Sequence, residues 1–532
     1  MNRHDLRIHY YIFLVISGTI LAIFSQCANS ASLRKRLTPT HNHALRKSTK
    51  PRAIMAEQTR SDWMSGHYGV MTHFLPCVTT IDQFNQVVDA FDVDAYASDV
   101  AQTGASYAIF TLGQGSYFCS PNDSLTKRCG NVTSHRDLLS DVAKALRKRG
   151  IRTIVYIPSG APVIMAEGTH YKNDAPTERQ AEFQSIWQQV ITEYSVRYGH
   201  RVSGWWLDGM YNWQTMYSFT NGPGYRTLAE ACRSGNPNSV VSFNDGGGPY
   251  SNHSQYGDAA AGEIHRHEQS LPEYRSRWVS GVDPATGHSY RVQWNVHTFL
   301  GHEFVGNGFG GPLDSPRFPD SYVADYVKRT VEHGGTCQFD VPIHMGGCND
   351  PDPKLEGHLG AAFLPQLRNV AEVLKSKSAS VEPGVNIAVN CQATTNLPGS
   401  STPANGNDDD VDTDFASSEN DVDVPYWQID LGTPKPIAAV ELVLSKADGQ
   451  KQYRNEFQVL ASDVSTFQQS DRIAWMMEGL EAPQGGSFLA FAPNPKSYRY
   501  VRVTRPPKDY HVYWWKPGLK FAELRVLGYK AP

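Results

Sequence analysis

Asp208 is the carboxylate in this sequence whose setting first points to chemistry. It closes the run Gly204-Trp205-Trp206-Leu207-Asp208-Gly209. Upstream, Phe183, Ile186, Trp187, Val190, Ile191 and Tyr194 recur at helical spacing over Thr177–Tyr198, and Gly199 supplies the stop. Val202–Leu207 then has the length and bulk of a buried strand. Asp208 therefore falls where a parallel strand ends and the chain turns, the place where α/β barrels carry their working side chains. The plain alternative is an aspartate that caps the next turn. Glu263 is a second carboxylate of this kind, at the end of Ala260-Ala261-Gly262-Glu263, where small residues leave room for a ligand; pairing with Arg266 is its structural alternative. Two carboxyl groups facing one another can divide nucleophilic and acid–base work.

The elements that would position them alternate along residues 57–375. Strands are expected at Tyr68–Phe74, ending at His73, and at Ser106–Leu112, Arg152–Ile157, Val202–Leu207, Ser239–Phe243 and Thr336–Val341, with weaker ones at Ala259–Glu263 and Tyr290–Val296. Between them come helices at Val93–Thr103, Arg136–Arg149 (capped by Ser134), Thr177–Tyr198, Tyr225–Arg233 and Asp320–His333, and a closing one near Leu359–Lys375. This alternation predicts a TIM-like (β/α) barrel. Residues 376–385 read as a linker. From 386 to 532, short alternating strands such as Tyr426–Gly432, Ile437–Leu444, Glu456–Ala461, Ser497–Thr504 and Ala522–Tyr529 predict an all-β antiparallel sandwich of jelly-roll type.

Arg3 and Arg7 precede the apolar run Tyr10–Phe24, and Ala28-Asn29-Ser30 offers small residues for cleavage, so residues 1–30 read as a secretory signal peptide and not a membrane span. Residues 31–56, with Arg34-Lys35-Arg36, read as a basic linker or pro-segment. A secreted location follows as the expectation. Asn122-Asp-Ser, Asn131-Val-Thr and Asn252-His-Ser are glycosylation acceptors in a eukaryotic setting. Among 8 cysteines, Cys119 with Cys129 and Cys337 with Cys348 close short loops and are expected to pair; Cys77, Cys232 and Cys391 are unassigned. The net charge of -4 gives no general attraction to nucleic acid. Aromatics at 11% suit sugar-stacking surfaces and large cores equally.

His265-Arg266-His267-Glu268 places two imidazoles on one face of a strand, but no third ligand has fixed spacing, so no metal site is expected in the barrel. Asp408-Asp409-Asp410-Val411-Asp412-Thr413-Asp414 clusters the hard oxygens that Ca²⁺ prefers, or is a solvated acidic loop. Tyr510, Tyr513, Trp514 and Trp515 could form a stacking platform for a glycan or pack the sandwich.

Taken together these landmarks resemble the α-L-fucosidase family of retaining glycosidases. Tyr68-Gly69-Val70-Met71-Thr72-His73 resembles its opening Phe-Gly-Ile-Phe-Ile-His strand, Arg136-Asp137-Leu138-Leu139 its Arg-Asp-Leu-Val helix, Trp206-Leu207-Asp208-Gly209 its Trp-x-Asp-Gly nucleophile motif, and Glu332-His333-Gly334-Gly335 the step before its last strand. Tyr426-Trp427-Gln428-Ile429-Asp430-Leu431-Gly432, Tyr500–Val503 and Phe521–Val526 resemble a discoidin-type (coagulation factor 5/8 C-type) carbohydrate-binding domain, in which a structural Ca²⁺ also occurs.

The resemblance implies Asp208 as nucleophile, with an acid/base carboxyl group downstream. Glu263 is the choice, and Glu268 and Glu303 are its rivals. His73 resembles a sugar-contacting histidine, its alternative being a satisfied core imidazole; Trp294 could form a wall of the sugar site or pack the core, and Trp206 is a further candidate for substrate binding. The family's His-His-Asp-Gly-Phe segment is replaced by Leu112-Gly113-Gln114-Gly115-Ser116, where Gln114 can donate and accept hydrogen bonds, and its Trp-Glu-Thr by Trp294-Asn295-Val296. The reading is a secreted, retaining exo-glycosidase that removes terminal α-L-fucosyl or related residues from a glycan or polysaccharide, with no cofactor for catalysis. Its alternatives are a catalytically silent, lectin-like glycan binder, a glycosidase of altered sugar specificity, and a metal-dependent hydrolase.

Overall fold

The computed structural model describes residues 59–114, 117–159, 177–210, 223–245, 252, 254–264, 270–283, 286–302, 315–345, 354–376, 382–417, 424–446, 457–476, 486–494, 496–505 and 518–529. The expected signal and basic segments, His265–Glu268, Glu303, Cys348 and the Tyr510–Trp515 loop lie outside them.

Eleven strands form the first sheet: β1 (Tyr68–Thr72), β2 (Tyr107–Thr111), β3 (Arg152–Pro158), β4 (Gly204–Asp208), β5 (Val240–Phe243), β6 (Ala259–Ala260), β7 (Glu263–Ile264), β8 (Trp278–Val282), β9 (Ser289–Gln293), β10 (Asn295–Phe299) and β11 (Thr336–Asp340). Their order is β8-β9-β6-β5-β4-β3-β2-β1-β11-β10-β7, and every pairing is parallel except β8 with β9. Parallel strands covered on both faces must be apolar throughout. Here successive residues serve two cores. Val70, Phe110, Val155, Trp205 and Leu207 pack outward in the large core with the helices. Met71, Ile109, Ile154, Tyr156 and Trp206 fill a separate cluster inside the curve. The sheet is thus curled and barrel-like.

The expected Ala259–Glu263 strand is divided between the two sides of a seam. β6 pairs with β5, β7 pairs with β10, and only Ala261 and Gly262 lie between β6 and β7. The Asn295 amide of β10 donates to the carbonyls of both Ala260 and Ala261, at 3.0 Å each, and so supplies side-chain bonds where no ladder joins β6 to β10. Gly262 has φ +72°, and a Cβ there would lie 2.1 Å from the Asn295 carbonyl oxygen, so both the turn and the approach require glycine.

The helices Thr177–Tyr198 and Tyr225–Arg233 run as expected. The helix after β2 runs Leu138–Lys148 and is capped by Asp137, whose side chain accepts from Ser140 N, and not by Ser134, whose hydroxyl donates to Arg136 O. Helices at Ile81–Ala90 and Asp123–Cys129 and strand β8 add to the expected elements.

The C-terminal part forms a four-stranded sheet (Pro383–Asn386, Glu523–Tyr529, Ala439–Val443, Ser487–Phe491 in spatial order) and a five-stranded one (Gln392–Thr395, Tyr426–Pro436, Ser497–Thr504, Phe457–Ser462, Asp471–Met476). Both are antiparallel. Alternate residues such as Trp427, Ile429 and Leu431 are buried, as in a sandwich with one wet face per sheet.

The two parts meet at Glu273, whose N–H donates to Leu489 O. The Glu273 carboxylate takes a bidentate pair from Arg329 (2.6–3.0 Å), whose guanidinium lies 3.6 Å from the ring centroid of Phe491. Both charges are buried. Arg329→Ala would strand Glu273 without its counter-charge. We expect a loss of about 3–5 kcal/mol, read as a fall in the urea midpoint of unfolding.

The cysteine pairings differ from expectation. Cys119, Cys129 and Cys337 are free thiols, as are Cys232 and Cys391. Cys119 and Cys337 are fully buried in the hydrophobic core, where a thiol packs as a small apolar group. Cys77 is disulfide-bonded, to a cysteine outside the described residues. Of the acceptor sequons, Asn122 is buried as a helix cap and donates to Val190 O, and Asn252 is buried and donates to Ser254 O, so neither offers its amide to a glycan; Asn131 is exposed.

Candidate active site

Parallel strands deliver their C-terminal ends to one side of the sheet, and the polar residues of the site come from those ends, save Glu263 on the two-residue β7. Asp208 is the last residue of β4, Asn244 follows β5, Glu263 opens β7, His73 follows β1 and Asp340 ends β11. Tyr156 of β3 sits beside Trp206 of β4, in register.

Two carboxylates share one amide. Asn244 Nδ2 donates to Asp208 Oδ1 at 2.7 Å and to Glu263 Oε2 at 2.5 Å. The other Asp208 oxygen, Oδ2, accepts from the Tyr156 hydroxyl at 2.6 Å. Asp208 is half-buried, whereas Glu263 and Asn244 are buried. Burial, and next the charge of Asp208, push the Glu263 carboxyl up to about 8, against the Asn244 hydrogen bond and the charge of His73. Glu263 is therefore a protonated acid at neutral pH, facing a second carboxyl group.

His73 Nδ1 donates to Asp340 Oδ2, both groups being buried. Burial opposes the imidazolium, but the Asp340 charge and hydrogen bond, with the charges of Asp208 and Glu263, outweigh it and raise the His73 pKa. His297 of β10, in register with Glu263, behaves oppositely: burial and then the charge of His73 depress it to about 3, so it is a neutral ring. The floor is aromatic. Trp206 stacks on Tyr156 (centroids 5.3 Å apart, 18° between planes) and meets the edge of His297, while His73 meets Tyr156 edge-on.

Of the residues singled out in the sequence, Asp208, Glu263, His73 and Trp206 come together here. Gln114 lies at the same end of the sheet, half-buried in the Gly113–Gln114/Tyr117–Phe118 hairpin that follows β2. Trp294 does not join them. It precedes β10, at the opposite end of the strands, fully buried beside Tyr274 and Gly335. Asn244, Tyr156, Asp340 and His297 complete the site and were not singled out; their common sequence signal is a polar residue in or just after a strand of the sheet.

Among the described residues no three His, Cys, Asp or Glu side chains are grouped to hold a metal ion, and no helix is long and apolar enough to cross a membrane. In the C-terminal part, Asp408 accepts from Thr413, Asp412 pairs with Lys446 and Asp414 accepts from Ser445. Glu523 is the buried member of this region. Its Oε2 accepts from Asp409 N and its Oε1 has no hydrogen-bond partner. Burial, with the charges of Asp408 and Asp409, pushes its carboxyl up to about 7.

The family model described as Alpha-L-fucosidase matches residues 41–298, and that of the F5/8 type C domain matches residues 390–517. The chain thus carries a domain of each kind. No curated protein shows significant similarity. Among solved structures, an endo-fucoidan hydrolase from glycoside hydrolase family 107 matches at 14% identity over 62% of this chain and 97% of its own, with a TM-score of 0.45. A GH29 fucosidase from Ruminococcus gnavus in complex with fucose matches at 12% identity over 91% of this chain and 97% of its own, with a TM-score of 0.42. Both likenesses are distant.

Proposed function

We propose that this fucosidase-like glycoside hydrolase works with retention, Asp208 being the nucleophile and Glu263 the acid and then the base, on terminal α-L-fucosyl groups of a glycan. The observation that carries the reading is the shared Asn244 amide. It holds the nearest oxygens of Asp208 and Glu263 no farther apart than its two hydrogen bonds laid end to end, which supports the about 5–5.5 Å of a retaining pair over the wider gap of an inverting one.

Asp208, held by Tyr156 and Asn244, would attack the anomeric carbon while Glu263 gives its proton to the departing glycosidic oxygen; Glu263 would then take a proton from the water that frees the sugar. Trp206 and His73 would line the sugar, with Gln114 at the rim. A family-type (β/α) barrel would present them. Hydrolysis of aryl α-L-fucoside, α-L-galactoside and β-D-galactoside, with the anomer released followed by NMR, tests both sugar and stereochemistry.

A glycosidase of altered sugar specificity is the second reading. It is favoured by the hairpin at Gly113–Phe118, where a glycine packs on the Phe118 ring (a Cβ there would lie 2.3 Å from it) and no imidazole pair is present. A silent glycan binder has no use for a carboxylic acid held up to about 8 beside a second carboxylate.

Secretion, with removal of the leader, remains part of this proposal, as does a structural Ca²⁺ in the C-terminal domain. One observation supports such an ion: Glu523 presents a buried carboxyl oxygen without a hydrogen-bond partner, the hard donor that Ca²⁺ takes, while Asp409 beside it is paired with Arg525. Side chains and main-chain carbonyls of that loop would hold it. Chelation is expected to lower the melting temperature of the full chain while leaving aryl-fucoside turnover unchanged, and Glu523→Gln should abolish the Ca²⁺ dependence of melting. Saturation at 100 times Kd would be worth about 2.7 kcal/mol.

A further inference from the structure

Asn244 is buried and unable to titrate, yet it touches both carboxyl groups. Its main chain is stitched to the strand that bears Asp208: Asn244 N donates to Leu207 O at 2.8 Å, and Met210 N donates to Asn244 O at 2.9 Å. The side chain leaves this fixed base with two amide hydrogens. One reaches Asp208 Oδ1 and the other Glu263 Oε2, on a strand from across the seam. Chemistry fixes the orientation of the amide, since turning it over would set its carbonyl oxygen against two carboxyl oxygens.

We propose that Asn244 is a positioning residue that sets the gap between Asp208 and Glu263 by giving one N–H to each. The inference rests on the roles proposed above for those two residues. Because Oε2 accepts from the amide, Oε1 is the oxygen of Glu263 that carries the acid proton. The amide can only donate through these hydrogens, so it favours the ionised over the protonated form of whatever oxygen it holds. It therefore restrains Glu263 from an even higher pKa, against burial and the charge of Asp208. A single neutral group thus fixes both the spacing and the degree to which the acid is ready to become a base.

The test compares wild type with Asn244→Ala in the full chain, by the pH profile of kcat/KM on an aryl α-L-fucoside and by 13C NMR titration of the Glu263 carboxyl group. The expected result is a loss of on the order of 10- to 100-fold in kcat/KM, together with an alkaline shift of the basic limb and of the Glu263 titration. A variant with lowered activity but an unmoved limb and titration would overturn the proposal, because a loss through general loosening need not move them upward. If Asn244→Ala does not fold, the isosteric Asn244→Asp carries the test. It sets a third carboxyl group against the other two, so an upward shift is again expected and an unmoved titration overturns the proposal. Silence of the wild type on every glycoside would refute the catalytic reading alone, since the NMR titration still decides the role of Asn244.

Discussion

Asp208→Ala reduces kcat on an aryl α-L-fucoside on the order of 10⁴-fold, the scale of loss when one member of a catalytic unit is removed. The expectation follows from where Asp208 sits. Both its oxygens are held, one by the Tyr156 hydroxyl and one by the Asn244 amide, so the side chain is fixed at the strand end. Truncation leaves a small cavity at the anomeric position and no group to form the glycosyl ester. Azide supplied from solution should enter that space and restore turnover, giving a glycosyl azide of inverted configuration. Product analysis by NMR distinguishes this from a residue that merely supports the fold, for which azide would restore nothing.

Glu263→Ala has a different signature. Loss of the general acid should cost about 10²–10⁴-fold, most for substrates with poor leaving groups and least for those whose aryl oxygen departs unprotonated. The pH dependence gives the sign. Burial, and then the Asp208 charge, raise the Glu263 pKa to about 8, so the acid is protonated below that value and lost above it. Wild-type kcat/KM should fall as pH rises through about 8, and this limb should be missing in the alanine variant. A limb that persists unchanged in Glu263→Ala would assign the proton to another carboxyl group, Glu268 and Glu303 being the candidates from the sequence.

The carboxyl pair was legible because each stands at a strand end marked by its neighbours: a Trp-Trp-Leu run before Asp208, and small residues before Glu263. Their partners were not. Asn244 lies 36 residues from Asp208 and 19 from Glu263, and Asp340 lies 267 from His73. Locally, Asn244-Asp245-Gly246 spells a turn, and nothing in it tells that its amide points across the end of the sheet. Trp294 was misplaced for a related reason: the expected Tyr290–Val296 strand is really two, β9 and β10, and the break at Trp294 puts the indole at the far end of the sheet. The cysteines show the weakness of loop length as a guide. Cys119 and Cys129 are close in sequence, but Cys119 points into the core and Cys129 ends a surface helix.

The seam beside Glu263 has a consequence for how the protein comes into being. Glu263 sits on a two-residue strand that attaches to β10, while the stretch two residues earlier pairs with β5 on the other flank. Glu263 can reach the Asn244 amide only after the sheet has curled and its flanks have met. Until then a nascent chain carries Asp208 without Glu263 beside it. The meeting of the two carboxyl groups is therefore tied to a long-range contact of the domain and not to any local element.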